Sequence, residues 1–207
     1  MPKSARVHSL FPTFVYQDEI FSPRAKINAE LLEEIAQFRR IDKNGVQWSK
    51  KNYPGGYTSY GSMDQLFRLS STFDELRLKI DASMAKYVRA LEIDIRPQEL
   101  KMDSMWVNVM PPGVSHSMHI HPLSVISGTY YLQVPKGTRG LKLEDPRMVN
   151  FMASPPRKAK ARQPNQRFVE MSPREGEVLL FESWLRHEVP VNPTRSDRVS
   201  ISFNYSW

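Results

Sequence analysis

Five histidines are present in the chain, and three of them fall in one short stretch, HSMHIHP at 116–122. His119 and His121 stand two residues apart. On an extended backbone, residues i and i+2 point to the same side. Both imidazoles can therefore reach one metal ion, provided a third ligand comes from elsewhere. The candidate is His187, in ESWLRHEVP just after the strand-like EVLLFES. Three protein ligands on one side leave positions open for substrate and oxygen, as in non-haem iron sites, although imidazole also suits Zn, Cu and Ni. The plain alternative is a set of ordinary loop histidines, since histidine is of intermediate burial and needs no function. His116 fits less well, because three residues separate it from His119, and His8 reads as a surface residue. The chain has no cysteine, so disulfides, thiolate sites and thiol nucleophiles are excluded, and any metal must be held by His, Asp or Glu.

The elements that must position these residues fall into two halves. Residues 7–20 alternate weakly and include Phe11, Phe14 and Tyr16, which suggests a first strand. Residues 28–40 predict a helix, capped by Asn28, with Ile27, Leu31, Ile35 and Phe38 at helical spacing. Residues 41–62 hold Gly, Asn, Pro and Ser without period and read as a loop. A second helix is expected over 73–91, with Phe73, Leu76, Ile80, Met84, Val88 and Leu91 on one face. Ser71 with Asp74, or Thr72 with Glu75, offers it a capping box. From residue 100 the period becomes 2, and MWVNVM, SGTYYLQV, GLKLED, RFVEM, EVLLFES and VSISFNYSW read as strands. The expected class is mainly β with N-terminal helices (α+β), the strands forming a sandwich or barrel and the helices covering one outer face. The chain is read as one domain, 1–207, with a strand and supporting helices over 1–99 and a β-core over 100–207.

Net charge is +7, with five basic residues and no acid from Arg157 to Arg167. A basic balance favours anions, but a local run of this kind is most simply a solvated loop. The surrounding insert, 148–165, is long for a structureless connection and suggests either that or a functional lid. No apolar run is long enough to span a membrane, and the start lacks a signal-peptide core, so a cytoplasmic location is expected.

Five stretches carry a resemblance: WVNVMPPG (106–113), HIHPLSVISGTYYLQVP (119–135), LEDPR (143–147), EGEVLLFESWLRHEV (175–189) and RVSISFN (198–204). Together with LFPTFVY (10–16), they resemble the 2-oxoglutarate- and Fe(II)-dependent oxygenases, whose core is a double-stranded β-helix of the jelly-roll, cupin-like kind. The family pattern is His-x-Asp/Glu, a distal His, then Arg-x-Ser. The resemblance implies His119, His121 and His187 around Fe(II), with Arg198 and Ser200 on the far carboxylate of 2-oxoglutarate. It also implies Tyr131 as a phenol donor to that carboxylate, for which plain core packing is the alternative, and Asn108 on the barrel lining. One departure stands out: His121 occupies the carboxylate position. Glu144 and Asp145 are the nearest substitutes by sequence.

A cupin-like dioxygenase that does not use 2-oxoglutarate would explain His121 but leave Arg198 and Ser200 without work. A non-enzymatic basic β-domain that stacks single-stranded nucleic acid on Trp48, Tyr53, Tyr57 and Tyr60 beside Lys50 and Lys51 would leave the histidines unexplained. The prime substrate is open, an anionic one being favoured by the net charge, and a homo-oligomer is neither required nor excluded.

Overall fold

A computed structural model describes residues 5–23, 25–147 and 152–207. Its strands are β1 (Val15–Glu19), β2 (Tyr57–Thr58), β3 (Lys101–Met110), β4 (His116–His119), β5 (Ile126–Gln133), β6 (Leu141–Glu144), β7 (Phe168–Met171), β8 (Glu177–Glu182), β9 (His187–Val189) and β10 (Arg198–Ser206). Its helices are α1 (Lys26–Ile41), α2 (Lys43–Asn52) and α3 (Ser71–Ala90). The strands form a six-stranded sheet in the order β1-β8-β5-β10-β3-β2 and a four-stranded sheet in the order β4-β9-β6-β7. Every pairing between these strands is antiparallel.

Period-2 alternation assigns the two faces of the larger sheet. Val107, Val109, Tyr130, Leu132, Val178, Leu180, Ile201 and Phe203 point to the helices, where Leu31, Ile35, Phe73, Leu76, Ile80 and Met84 meet them in one apolar cluster. The opposite face carries Tyr131, Leu179 and Phe181, which pack with Leu141, Leu143 and Leu185 in a second cluster between the sheets. Covered on both faces, the central strand β5 is almost wholly buried, as its apolar run requires.

The helices form broadly where periodicity placed them, but their caps differ. Asn28 is not a cap: the N-cap of α1 is Ala25. Asn28 is buried inside the first turn, donating to the Ser22 and Pro23 carbonyls and accepting from the Tyr130 hydroxyl at 2.6 Å. Neither proposed box forms on α3. Ser70 caps it, its hydroxyl accepting from Thr72 N–H and Phe73 N–H. The stretch read as loop over 41–62 contains α2 and β2. The first strand is shorter than expected, because Phe11 takes φ +56 and lies exposed. No helix among the described residues is long and apolar enough to cross a membrane.

Candidate metal centre

His119 ends β4 and His187 begins β9, and the two are direct cross-strand partners in the smaller sheet. His121 lies just beyond β4, where its N–H donates to the Ser183 carbonyl at 3.1 Å. One ring nitrogen from each of the three histidines lies within 4.8 Å of the others. Sequence spacing thus brings together the residues it singled out. The Nδ1 atoms are all engaged: His119 with the Ser117 carbonyl at 2.7 Å, His187 with the Leu185 carbonyl at 2.8 Å, and His121 with Asn204 Oδ1 at 2.6 Å. A carbonyl oxygen only accepts, so each Nδ1 carries the hydrogen. The lone pair of each Nε2 is left for a metal.

Burial presses every ring toward the neutral state that ligation needs. His187 is pushed down to about 3, first by burial and then by the neighbouring His119. His116 is pushed down to about 4 for the same two reasons. His119 and His121 are also lowered, burial being the main cause in both. His116 lines the same pocket, its ring 4.3 Å from that of His119, yet it is not one of the converging three. His8 is exposed.

The pocket also receives the outward face of β3 and β10: Trp106, Asn108 and Met110 from the first, Arg198, Ser200 and Ser202 from the second. Arg198 is only 3% exposed, yet no ion pair involves it among the described residues, and its Nε has no hydrogen-bond partner. Its Nη1 lies 3.8 Å from Met110 Sδ. The Tyr131 hydroxyl is likewise buried without a partner, and the guanidinium sits 5.4 Å from the centre of its ring. Burial raises the Tyr131 phenol, against the opposing pull of the Arg198 charge, so it remains a donor. Asn108 is occupied by Ser202, to whose hydroxyl it donates at 3.0 Å. Sequence reasoning named Tyr53 only as a stacking platform and missed its place in this pocket. It follows α2, is 3% exposed and lines the same pocket.

Among the described residues no acid lines this pocket. Glu144 is buried but paired with Arg167 at 3.2 Å and Arg186 at 3.3 Å, and Asp145 is paired with Arg147. Both acids line a separate, larger cavity of about 410 Å³ between residues 9–15 and β6 and β7. Gln163 and Pro164 of the basic insert, with Gln166 just after it, line that cavity as well, and no described residue of the insert lines the histidine pocket. Residues 148–151 of the insert lie outside the described residues. Tyr53 and Tyr57, proposed as stacking platforms, are buried, and the Tyr57 hydroxyl is tied to Asp42.

Residues 104–204 match the model of the family described as "Putative 2OG-Fe(II) oxygenase". No curated protein matches the chain in sequence. Among solved structures, the epimerase SnoN from nogalamycin biosynthesis superposes with a TM-score of 0.65 at 14% identity, over 94% of this chain and 79% of its own. HygX from Streptomyces hygroscopicus does so at 0.60 and 16%, over 94% and 83%. A prolyl hydroxylase from Trichoplax adhaerens does so at 0.59 and 16%, over 93% and 83%. The two facing sheets form the double-stranded β-helix fold of these proteins, and residues 104–204 match the model of the 2OG-Fe(II) oxygenase family.

Proposed function

We propose that the chain is an Fe(II)- and 2-oxoglutarate-dependent dioxygenase with a three-histidine centre. One observation carries the reading: a converging set of neutral imidazoles shares a pocket with a buried guanidinium that has no acidic partner among the described residues. A buried charge without a counter-ion is costly, so Arg198 is built for an anion that arrives from outside. Its planar fork suits a carboxylate, and the unpartnered Tyr131 hydroxyl is a second donor beside it. SnoN has been solved with Fe3+, α-ketoglutarate and nogalamycin RO, and HygX with nickel and 2-oxoglutarate. Tyr53 reaches the pocket from the first half of the chain, which supports reading 1–207 as one domain.

With iron, 2-oxoglutarate and oxygen bound, the oxidising power comes from the cofactor chemistry. The protein's own residues orient and exclude. His119, His121 and His187 would hold the metal through Nε2. Arg198 and Tyr131 would hold the far carboxylate, with Ser200 adjacent on the same face of β10. Trp106 and Tyr53 wall the pocket against water. The pocket is tight, about 60 Å³, and Met110, whose thioether now contacts Arg198, is the adaptable side chain an entering carboxylate displaces. A cupin-like enzyme without 2-oxoglutarate would share the histidines but would leave Arg198 unpaired. The basic insert lines the other cavity, so an anionic prime substrate has only net charge in its favour.

The test uses protein purified without oxygen. It should bind one Fe(II) and then 2-oxoglutarate by calorimetry, and release succinate slowly without prime substrate. Arg198→Ala should retain iron and lose 2-oxoglutarate binding by on the order of 3–5 kcal/mol. Ala at 119, 121 or 187 should abolish stoichiometric iron, whereas His116→Ala should keep it. Unchanged 2-oxoglutarate affinity in Arg198→Ala would remove the cosubstrate from the reading.

A further inference from the structure

His119 and His187 are oriented in the same way, each ring bonded to the carbonyl two residues before it. Main chain cannot be mutated away, and it pins both rings to their own strands. His121 differs. It has left β4, and its ring is held by a side chain distant in sequence, the amide of Asn204. We infer that Asn204 is the positioning residue of the metal centre, fixing the tautomer and tilt of His121 so that three neutral nitrogens converge. This rests on the reading of the three histidines as metal ligands.

The sheet register explains how the residue comes to be there. Asn204 and Ser127 are direct partners across β10 and β5. The pairing of β10 with β3 shifts between Asn204 and Tyr205, and such irregularities re-aim side chains beside functional sites. Ser127 Oγ–H donates to Asn204 Oδ1 at 2.8 Å. The same hydroxyl lies 2.7 Å from Ser183 Oγ and 3.1 Å from His121 Nδ1. A hydroxyl has one hydrogen. Since Ser127 gives its hydrogen to Asn204, it accepts from Ser183. Asn204 Oδ1 then receives two hydrogens, one from Ser127 and one from His121. Both serines are fully buried and Asn204 is 7% exposed, so water does not compete for these bonds. The direction of each bond is thereby set: His121 carries its hydrogen on Nδ1, and its Nε2 keeps a free lone pair. Ser183 has a second hold on the same ligand, since its carbonyl accepts the His121 N–H. An uncharged acceptor orients the ring without placing a buried charge behind it.

Partners of this kind typically change metal affinity by about 10- to 100-fold when removed. The full chain is loaded with Ni(II) in competition with a chromophoric chelator, and unfolding of the metal-free form is followed in parallel. Asn204→Leu, similar in volume but without an acceptor, should weaken Ni(II) by about 10- to 100-fold. Asn204→Asp retains the acceptor and should hold the metal at least as well as the parent. Ser183→Ala, one bond further out, should fall between parent and Asn204→Leu. In the zinc-loaded parent, two-dimensional proton–nitrogen spectra of the imidazoles should show His121 protonated at Nδ1. That measurement decides the matter even where a variant fails to fold. Parental Ni(II) affinity in Asn204→Leu, or a His121 ring protonated at Nε2, overturns the proposal. A parent that binds neither Ni(II) nor Zn(II) overturns the metal reading itself, which is a separate outcome.

Discussion

Protons and a metal ion contend for the same imidazole nitrogens, and burial settles the contest well below neutral pH. With His187 held at about 3 and His116 at about 4, the folded chain keeps these rings neutral where an unfolded histidine, near 6.5, already takes up a proton. The unfolded state therefore binds more protons as the pH falls from about 6.5, and stability declines with it. The contribution is complete above about 6.5 and is lost progressively toward 3–4. Thermal unfolding of metal-free protein should show a melting temperature that drops between pH 7 and pH 4.5, with a shallower slope in His116→Gln. A melting temperature flat across that range would contradict the burial argument. At this scale, spacing showed His119 and His121, the strand-following ESWLRHEVP pointed to His187, and the resemblance added Arg198. Asn204 and Ser127 had no local signature, because their role arises only when β5 and β10 align. The one trace in the sequence is alternation, which places Asn204 on the face shared by Arg198, Ser200 and Ser202.

Between residue and fold, Asp42 ties the helices to the edge of the larger sheet. Its side chain accepts the Gly45 N–H at 2.8 Å as the cap of α2, the Tyr57 hydroxyl at 2.9 Å and the Ser62 hydroxyl at 2.6 Å. Gly45 is needed there, since a Cβ would fall 2.0 Å from Asp42 Oδ2. Asp42→Ala removes a cap, about 0.5–2 kcal/mol, and leaves the buried Tyr57 hydroxyl unpaired, about 1–3 kcal/mol. Urea unfolding should register a combined loss of about 2–4 kcal/mol, and a loss under about 0.5 kcal/mol would deny Asp42 this role. Here the sequence reading fell short for a physical reason. KNGVQWSKKN has glycine, asparagine and little apolar periodicity, so its helix depends on the cap and on packing rather than on propensity. β4 and β9 were likewise invisible as strands, being short and polar and held mainly by pairing with each other and with β6. α1, α3 and the longer strands were legible because a continuous apolar face imposes its period on the residues.

For the molecule as a whole, the two cavities divide the sandwich. The histidine pocket draws on β3, β4, β9 and β10, whereas Gln163 and Pro164 of the basic insert line the other cavity, beside β7 and the segment before β1. Replacing residues 154–162 by a short Gly-Ser bridge should therefore leave Ni(II) and 2-oxoglutarate affinities within about twofold of the parent, because exposed charges outside the pocket act mainly on association rates. Calorimetry at low and high salt measures this, and a loss of either affinity would place the insert at the centre after all.

The place of β10 has a consequence for the newborn chain. β10 lies between β3 and β5 in the larger sheet but follows both in sequence. As the polypeptide leaves the ribosome, β3 and β5 each wait with an open edge for a neighbour that has not yet been made, and open edges invite wrong partners. Pairings across such long stretches of sequence also close slowly. By then the three histidines have been translated, but the strand bearing Arg198 and Asn204 has not. The centre is thus completed by a strand made after the other strands of the two sheets, and an ion that arrives earlier meets loose imidazoles instead of a finished site.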